Sequence, residues 1–154
     1  MVAGKRVSTC NSSRGLSLLE VVIVLACATI LLAVAVPNIS KLHQEWTLWG
    51  AAQMLESSLR WGRAQAVTAN SSVMLAVDED GRLFYWVDPE SGARFESTVR
   101  YLPGQVRIVS FPKKALRFSP RGNAVPAGTY ILQGEAGSYH VVVNVVGRIR
   151  LQRD

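Results

Sequence analysis

One stretch decides most of what this chain can become. Leu16 to Val36 reads LSLLEVVIVLACATILLAVAV, 21 residues in which Ser17, Glu20 and Thr29 are the only polar ones. A helix rises 1.5 Å per residue, so a run of this length extends about 31 Å, enough to cross a bilayer core once. Lys5, Arg6 and Arg14 precede it, which favours a cytoplasmic N-terminus and an exported C-terminal part. Glu20 is the anomaly. A carboxylate held toward the membrane interior costs about 2.5 to 3.5 kcal/mol on insertion scales, so it calls for a compensating charge. Cleavage after Gly15 would create an α-amino group four residues before Glu20, about one helical turn away. A helix-end carboxylate among the headgroups needs no partner, and that reading stays open. So do an ordinary secretory signal peptide, with Ala33-Val34-Ala35 as an A-x-A site, and an unprocessed signal anchor. A signal peptide would need an h-region that starts right after Arg14 and contains a glutamate, longer than the usual 7 to 15 residues.

With 154 residues, one modest domain fits beside such an anchor. The net charge of +6 is concentrated at the end of the chain. From Arg107 onward there are eight basic residues, against Glu135 and Asp154 alone. That basic final third suits nucleic acid, acidic lipid or an acidic partner. The cysteines are Cys10, ahead of the cleavage position, and Cys27, inside the apolar run. No disulfide framework follows, and Cys27 reads as a small apolar core residue.

Beyond Pro37, Ile39, Leu42, Trp46, Trp49, Ala52, Leu55, Leu59 and Ala66 recur at three- and four-residue steps, with polar residues between them. The spacing predicts an amphipathic helix that ends near Asn70-Ser71 and packs its Trp and Leu stripe on a sheet. Pro37 is expected to kink the join, because it lacks an N–H and crowds the preceding turn. After Ser71 the composition turns to β-branched and aromatic residues punctuated by turns. SVMLAV and RLFYWV around Asp78-Glu79-Asp80-Gly81 predict a hairpin. Further strands are expected over 95–101, 105–110, 115–119, 129–132, 139–146 and 148–151. The fold class is α+β, a long N-terminal helix packed on an antiparallel sheet.

Asp78, Glu79, Asp80 and Asp88 lack the twelve-residue calcium-loop pattern and read as solvated turns. His43 and His140 have no partner at ligand spacing. No phosphate loop, G-x-S-x-G elbow or H-E-x-x-H is present, so neither a catalytic residue, a metal site nor a cofactor is expected.

The string Arg14-Gly15-Leu16-Ser17-Leu18-Leu19-Glu20, followed by the apolar run and Pro37, resembles the type IV prepilin processing motif. The resemblance implies that a prepilin peptidase cuts after Gly15 and methylates Leu16. It implies that Glu20 docks subunits, meeting the amino terminus of a neighbour, and that Pro37 stands where a helix-kinking proline is usual. Leu16 and Ser17 replace the more common Phe and Thr.

Three further strings narrow the family. Leu55 to Val67 resembles the "L…AR.EA" helix of the GspH/FimT minor pseudopilins, with Gln65 where Glu is usual. Leu116 to Gly122 resembles the family's "F.P.G" turn, and Gly147-Arg148-Ile149-Arg150 its "GR.R" end. The implied organisation is a leader over 1–15, a transmembrane helix over 16–36, a stalk helix over 37–71 and a sheet domain over 72–154. The implied role is a minor subunit near the tip of a short periplasmic filament, in type II protein secretion or in a type IV pilus. Such a chain sits single-pass in the bacterial inner membrane with its C-terminal domain in the periplasm, among other pseudopilins or minor pilins. The FimT-like branch of the family binds DNA for natural transformation through the Gly-Arg-x-Arg region. By that resemblance Arg148 and Arg150 are DNA-binding candidates, and Lys113, Lys114, Arg117 and Arg121 would extend the patch. Two arginines two apart on a strand share a face and can meet successive phosphates, although basic strands also serve simply to blunt an edge.

Overall fold

The computed structural model describes residues 17–154, leaving aside the side chains of residues 34–38. The cleavage residues Gly15 and Leu16 lie outside the described residues, as does the side chain of Pro37. The chain divides after Asn38 into two units.

A single helix, α1, runs Leu18–Thr68, so Pro37 does not end it. In its first unit the side chains of residues 17–33 are exposed, apart from half-buried Ala28. Among the described residues no helix is long and apolar enough to cross a membrane. The apolar side chains described, residues 17–33, cover less than the 21-residue run read from the sequence. Cys27 is exposed, which corrects its reading as a core residue: the side chains around it on α1 are exposed as well, apart from half-buried Ala28.

The second unit, Ile39–Asp154, holds the core. Its strands are β1 (Val73–Val77), β2 (Leu83–Val87), β3 (Arg100–Tyr101), β4 (Arg107–Ser110), β5 (Arg117–Phe118), β6 (Ala124–Val125), β7 (Gly128–Gly134), β8 (Gly137–Val143) and β9 (Ile149–Arg153). All pairings are antiparallel. They form two sheets rather than one, ordered β3-β2-β1-β5-β6 and β4-β7-β8-β9. The helix and both sheets contribute to one apolar cluster. Leu48, Ala51, Leu55, Leu59 and Ala66 come from α1, Leu75, Phe84, Trp86 and Phe118 from the first sheet, and Ile108, Leu132, Val141 and Val143 from the second. Burial of such surface contributes about 25 cal/mol per Å², so this cluster is the main source of the unit's stability.

The stripe on α1 is only half a core face. Ala52, Leu55, Leu59 and Ala66 are fully buried, but Ile39, Leu42, Trp46 and Trp49 are exposed. The expectation that both tryptophans pack on the sheet is thereby corrected. Burial begins at Leu48, and before it the sheets no longer cover the face, leaving Trp46 and Trp49 edge-on to each other at 5.8 Å.

Residues 95–101, expected as a strand, form instead a single 3-10 turn, Glu96–Thr98, followed by the short β3. The cause is Thr98. Its hydroxyl donates to the Phe95 carbonyl at 2.6 Å and accepts the Trp86 backbone N–H at 3.0 Å, so a side chain takes a ladder position and coils the segment. β6 was not anticipated, and β8 ends at Val143 rather than at 146 because a turn begins at Asn144.

Candidate functional site

The three short strings picked out in the sequence, far apart along the chain, meet at one place. Arg63 on α1 sends its Nε to the carbonyl of Gly122 at 3.1 Å and a terminal guanidinium nitrogen toward the carbonyl of Val146 at 3.4 Å. One fork thus ties the helix to the β5–β6 turn and the β8–β9 turn. Gly122 (φ +79°) and Gly147 (φ +78°) both occupy the left-handed region where a Cβ is strained. A Cβ on Gly147 would also overlap the Gly122 carbonyl, so the two turns touch backbone to backbone.

The β8–β9 turn is built by Asn144. Its backbone carbonyl accepts from Gly147 N–H at 2.9 Å, and its side-chain oxygen accepts from Arg148 N–H at 2.8 Å. Arg148 immediately precedes β9 and Arg150 lies within it, one on either side of half-buried Ile149. Both are exposed and line one groove of about 570 Å³ with Arg60, Arg63, Val146, Gly147 and Ile149. Arg60 is paired with Glu56 at 2.7 Å. Among the described residues, Arg148 and Arg150 have no ion-pair partner.

Lys113, Lys114, Arg117 and Arg121 are exposed but do not line this groove. Arg121 belongs to the turn that Arg63 holds, whereas Arg117 lies on β5 between β1 and β6. Sequence reading missed Arg60 and Arg63 as groove residues. The signal was present in the helical spacing, since positions three apart share a face.

Away from the groove, Glu20 is exposed in the first turn of α1, where a carboxylate is favoured by the helix dipole. Asp88 stands in an exposed turn, its carboxyl held below the ordinary value by the Ser91 hydroxyl and the Glu90 amide. Among the described residues no three His, Cys, Asp or Glu side chains gather as metal ligands.

The family model described as Type II transport protein GspH matches residues 51–147, and the Prokaryotic N-terminal methylation motif matches residues 10–36. The chain is 29 % identical over 160 residues to the pilin-like protein PilA1 of Thermus thermophilus, covering 90 % of this chain and 98 % of that protein. Its fold is similar to the type IV minor pilin FimU of Pseudomonas aeruginosa, with a TM-score of 0.58 and 20 % identity over 68 % of this chain and 87 % of that one. It is also similar to the minor pseudopilin EpsH from the type 2 secretion system of Vibrio cholerae, with a TM-score of 0.56 and 13 % identity over 69 % and 96 % of the two chains.

Proposed function

The chain belongs to the GspH family of type II transport proteins, and on that premise we propose that it works near the tip of a short periplasmic filament in a type II secretion system. It is a type IV pilin-like structural subunit of the minor pseudopilin kind, with an N-terminal methylation motif. The observation that carries its assignment to a secretion filament is the GspH match across the sheet domain, continuous with the α1 segment that holds Arg63.

In this reading a prepilin peptidase cleaves between Gly15 and Leu16 and methylates Leu16. Glu20 then compensates its charge against an α-amino group, its own or a neighbour's, in the low-dielectric setting of the inner membrane. Residues 16–36 anchor the chain, Pro37 bends the helix, and the C-terminal domain stands in the periplasm. Intact-mass measurement of the chain recovered from membranes tests the processing: a mature N-terminus at Leu16 carrying one methyl group is expected, and one at Val36 would overturn the reading. Cross-linking in cells then asks which subunits flank it, those of the secretion filament or those of a pilus.

A second reading rests on one observation, the groove that brings together Arg60, Arg63, Arg148 and Arg150. Guanidiniums at this density suit phosphate, so the alternative is a minor pilin that binds DNA, with counterion release setting its salt dependence. Retention of duplex DNA by the full chain at two salt concentrations tests it. Binding that is steep in salt and lost in Arg148→Ala with Arg150→Ala supports this reading; no retention at low salt rejects it.

A further inference from the structure

We propose that the free edge of β9 is a docking site for one extended strand of a different protein. The segment it takes alternates apolar with acidic residues and adds antiparallel to the second sheet. Such a site goes beyond the filament role and does not depend on which machine the chain serves.

The ladder shows which backbone groups are open. β9 ends the sheet ordered β4-β7-β8-β9 and pairs with β8 on one side. At one end of that pairing the Asn144 N–H donates to the Arg148 carbonyl at 3.0 Å, and at the other the Asp154 N–H donates to the Ser138 carbonyl at 3.3 Å. In an antiparallel ladder, residues bonded to the neighbour alternate with residues turned away from it. Both end bonds fall on even-numbered residues, and the register runs unbroken between them, so Arg150 and Gln152 also bond to β8. Ile149, Leu151 and Arg153 therefore turn their N–H and C=O groups away from the sheet. Among the described residues, no backbone group outside the sheet bonds to them. Open donor and acceptor pairs two residues apart are a template for strand addition.

The two faces beside that edge differ. On the outer face Arg148, Arg150 and Gln152 are exposed, and among the described residues neither arginine has an ion-pair partner. Asp154 follows them but is engaged by the Ser138 hydroxyl at 3.2 Å and by His140 at 3.9 Å. On the inner face Ile149 and Leu151 are half-buried against the core cluster. α1 runs the opposite way alongside β9. Glu45 meets Arg153 at 3.4 Å, and further along α1 Arg60 and Arg63 border the groove that Arg148 and Arg150 line. At the Arg153 end Leu42, Trp46, Trp49 and Tyr139 line a hollow of about 320 Å³.

This arrangement specifies the occupant. An antiparallel strand beside β9 sets its bonded residues opposite Ile149, Leu151 and Arg153, with their side chains on the inner face. Apolar residues there cover Ile149 and Leu151 and lie toward the hollow where Trp46 and Trp49 stand exposed. The intervening residues point outward beside Arg148 and Arg150, where carboxylates make charge-assisted contacts. A second copy of β9 is disfavoured, because it would gather the arginines of both copies on one face. Duplex DNA would meet the arginines but leave the open ladder and both indoles unused.

The test uses the full chain in detergent micelles under reducing conditions, with a labelled synthetic peptide in which valine and glutamate alternate. Fluorescence anisotropy should show saturable binding, and a peptide with the same residues in two blocks should bind about tenfold more weakly. Hydrogen exchange reads the ladder directly. In the free chain the Arg150 and Gln152 amides should exchange slowly and those of Leu151 and Arg153 quickly, and the peptide should slow the second pair about tenfold. N-methylation of the peptide's valines should abolish binding while N-methylation of its glutamates should not, because the valines are the residues that bond to β9. Arg148→Glu with Arg150→Glu should lose this peptide and gain one in which valine alternates with lysine, which also shows that the variant folds. Equal binding of the block peptide, loss on methylating the glutamates, unchanged exchange at Leu151, no gain of the lysine peptide, or duplex DNA bound where the peptide is not would each overturn the proposal.

Discussion

The Nε of Arg63 lies 3.1 Å from the carbonyl oxygen of Gly122, 59 positions further along the chain. The same guanidinium also reaches the carbonyl of Val146, so a single side chain holds the helix and two turns together. A charged hydrogen bond contributes about 1.5 to 3 kcal/mol when shielded. Arg63 is exposed, and solvent brings the figure for Arg63→Ala down to about 1 kcal/mol. Chemical denaturation measures the loss, and hydrogen exchange should quicken at Gly122 and Gly147 before it does in β7. Arg63→Lys should recover little, since one ammonium cannot match the planar fork.

Gly62 sits under the indole of Trp86, and a Cβ there would overlap the ring. In an open helix, Gly to Ala gains about 1 kcal/mol. Here Trp86 has little room to retreat: it is fully buried, its Nε1 donates to Ser58 Oγ at 2.9 Å, and its ring lies 5.9 Å from that of Phe118. Overpacking costs about 1 to 3 kcal/mol, so Gly62→Ala should be net destabilising. A rise in thermal midpoint would contradict this.

Phe118 anchors β5 between β1 and β6 and is fully buried. Phe118→Ala should lower stability by about 3 to 5 kcal/mol, since the cavity borders the pinned Trp86 and cannot collapse. The fluorescence of Trp86 should shift as water enters.

Burial pushes the Tyr130 phenol well above its ordinary value, and a hydrogen bond with the Leu116 backbone opposes this only in part. A raised acid pKa means that the unfolded chain releases its proton first. The stabilising contribution is therefore complete below pH of about 10 and is lost as pH rises beyond it. Unfolding by urea across an alkaline series should show this decline, and Tyr130→Phe should flatten it.

For the proposed processing, Gly15→Val should leave the leader attached, so that the recovered chain retains Cys10 and an unmethylated N-terminus. Glu20→Val should leave cleavage intact yet lower incorporation into the filament. Intact mass reads the first outcome and cross-linking from Cys27 the second. Unchanged incorporation in Glu20→Val would remove the docking role.

Much of this protein was legible because it is local. The run after Gly15 declares itself by hydropathy, and the hairpin around Asp78-Glu79-Asp80-Gly81 by alternation and a turn. Helix periodicity located the stripe on α1, and Ala52, Leu55, Leu59 and Ala66 confirm it. Periodicity names a face, however, and not how far along the helix that face is covered. Trp46 and Trp49 fit the pattern and are exposed because coverage begins at Leu48. Thr98 likewise gave no warning that its hydroxyl would turn a strand-like segment into a 3-10 turn.

By itself, then, the sequence determined the elements, their polarity and the N-terminal motif, because these follow from neighbours a few residues apart. Only the tertiary structure decided that Arg63, Gly122 and Gly147 converge, and that Arg60 and Arg63 join Arg148 and Arg150 in one groove. Such contacts depend on where β1, β5 and β8 come to lie against α1. That placement is set by the packing of the shared core rather than by any string of adjacent residues.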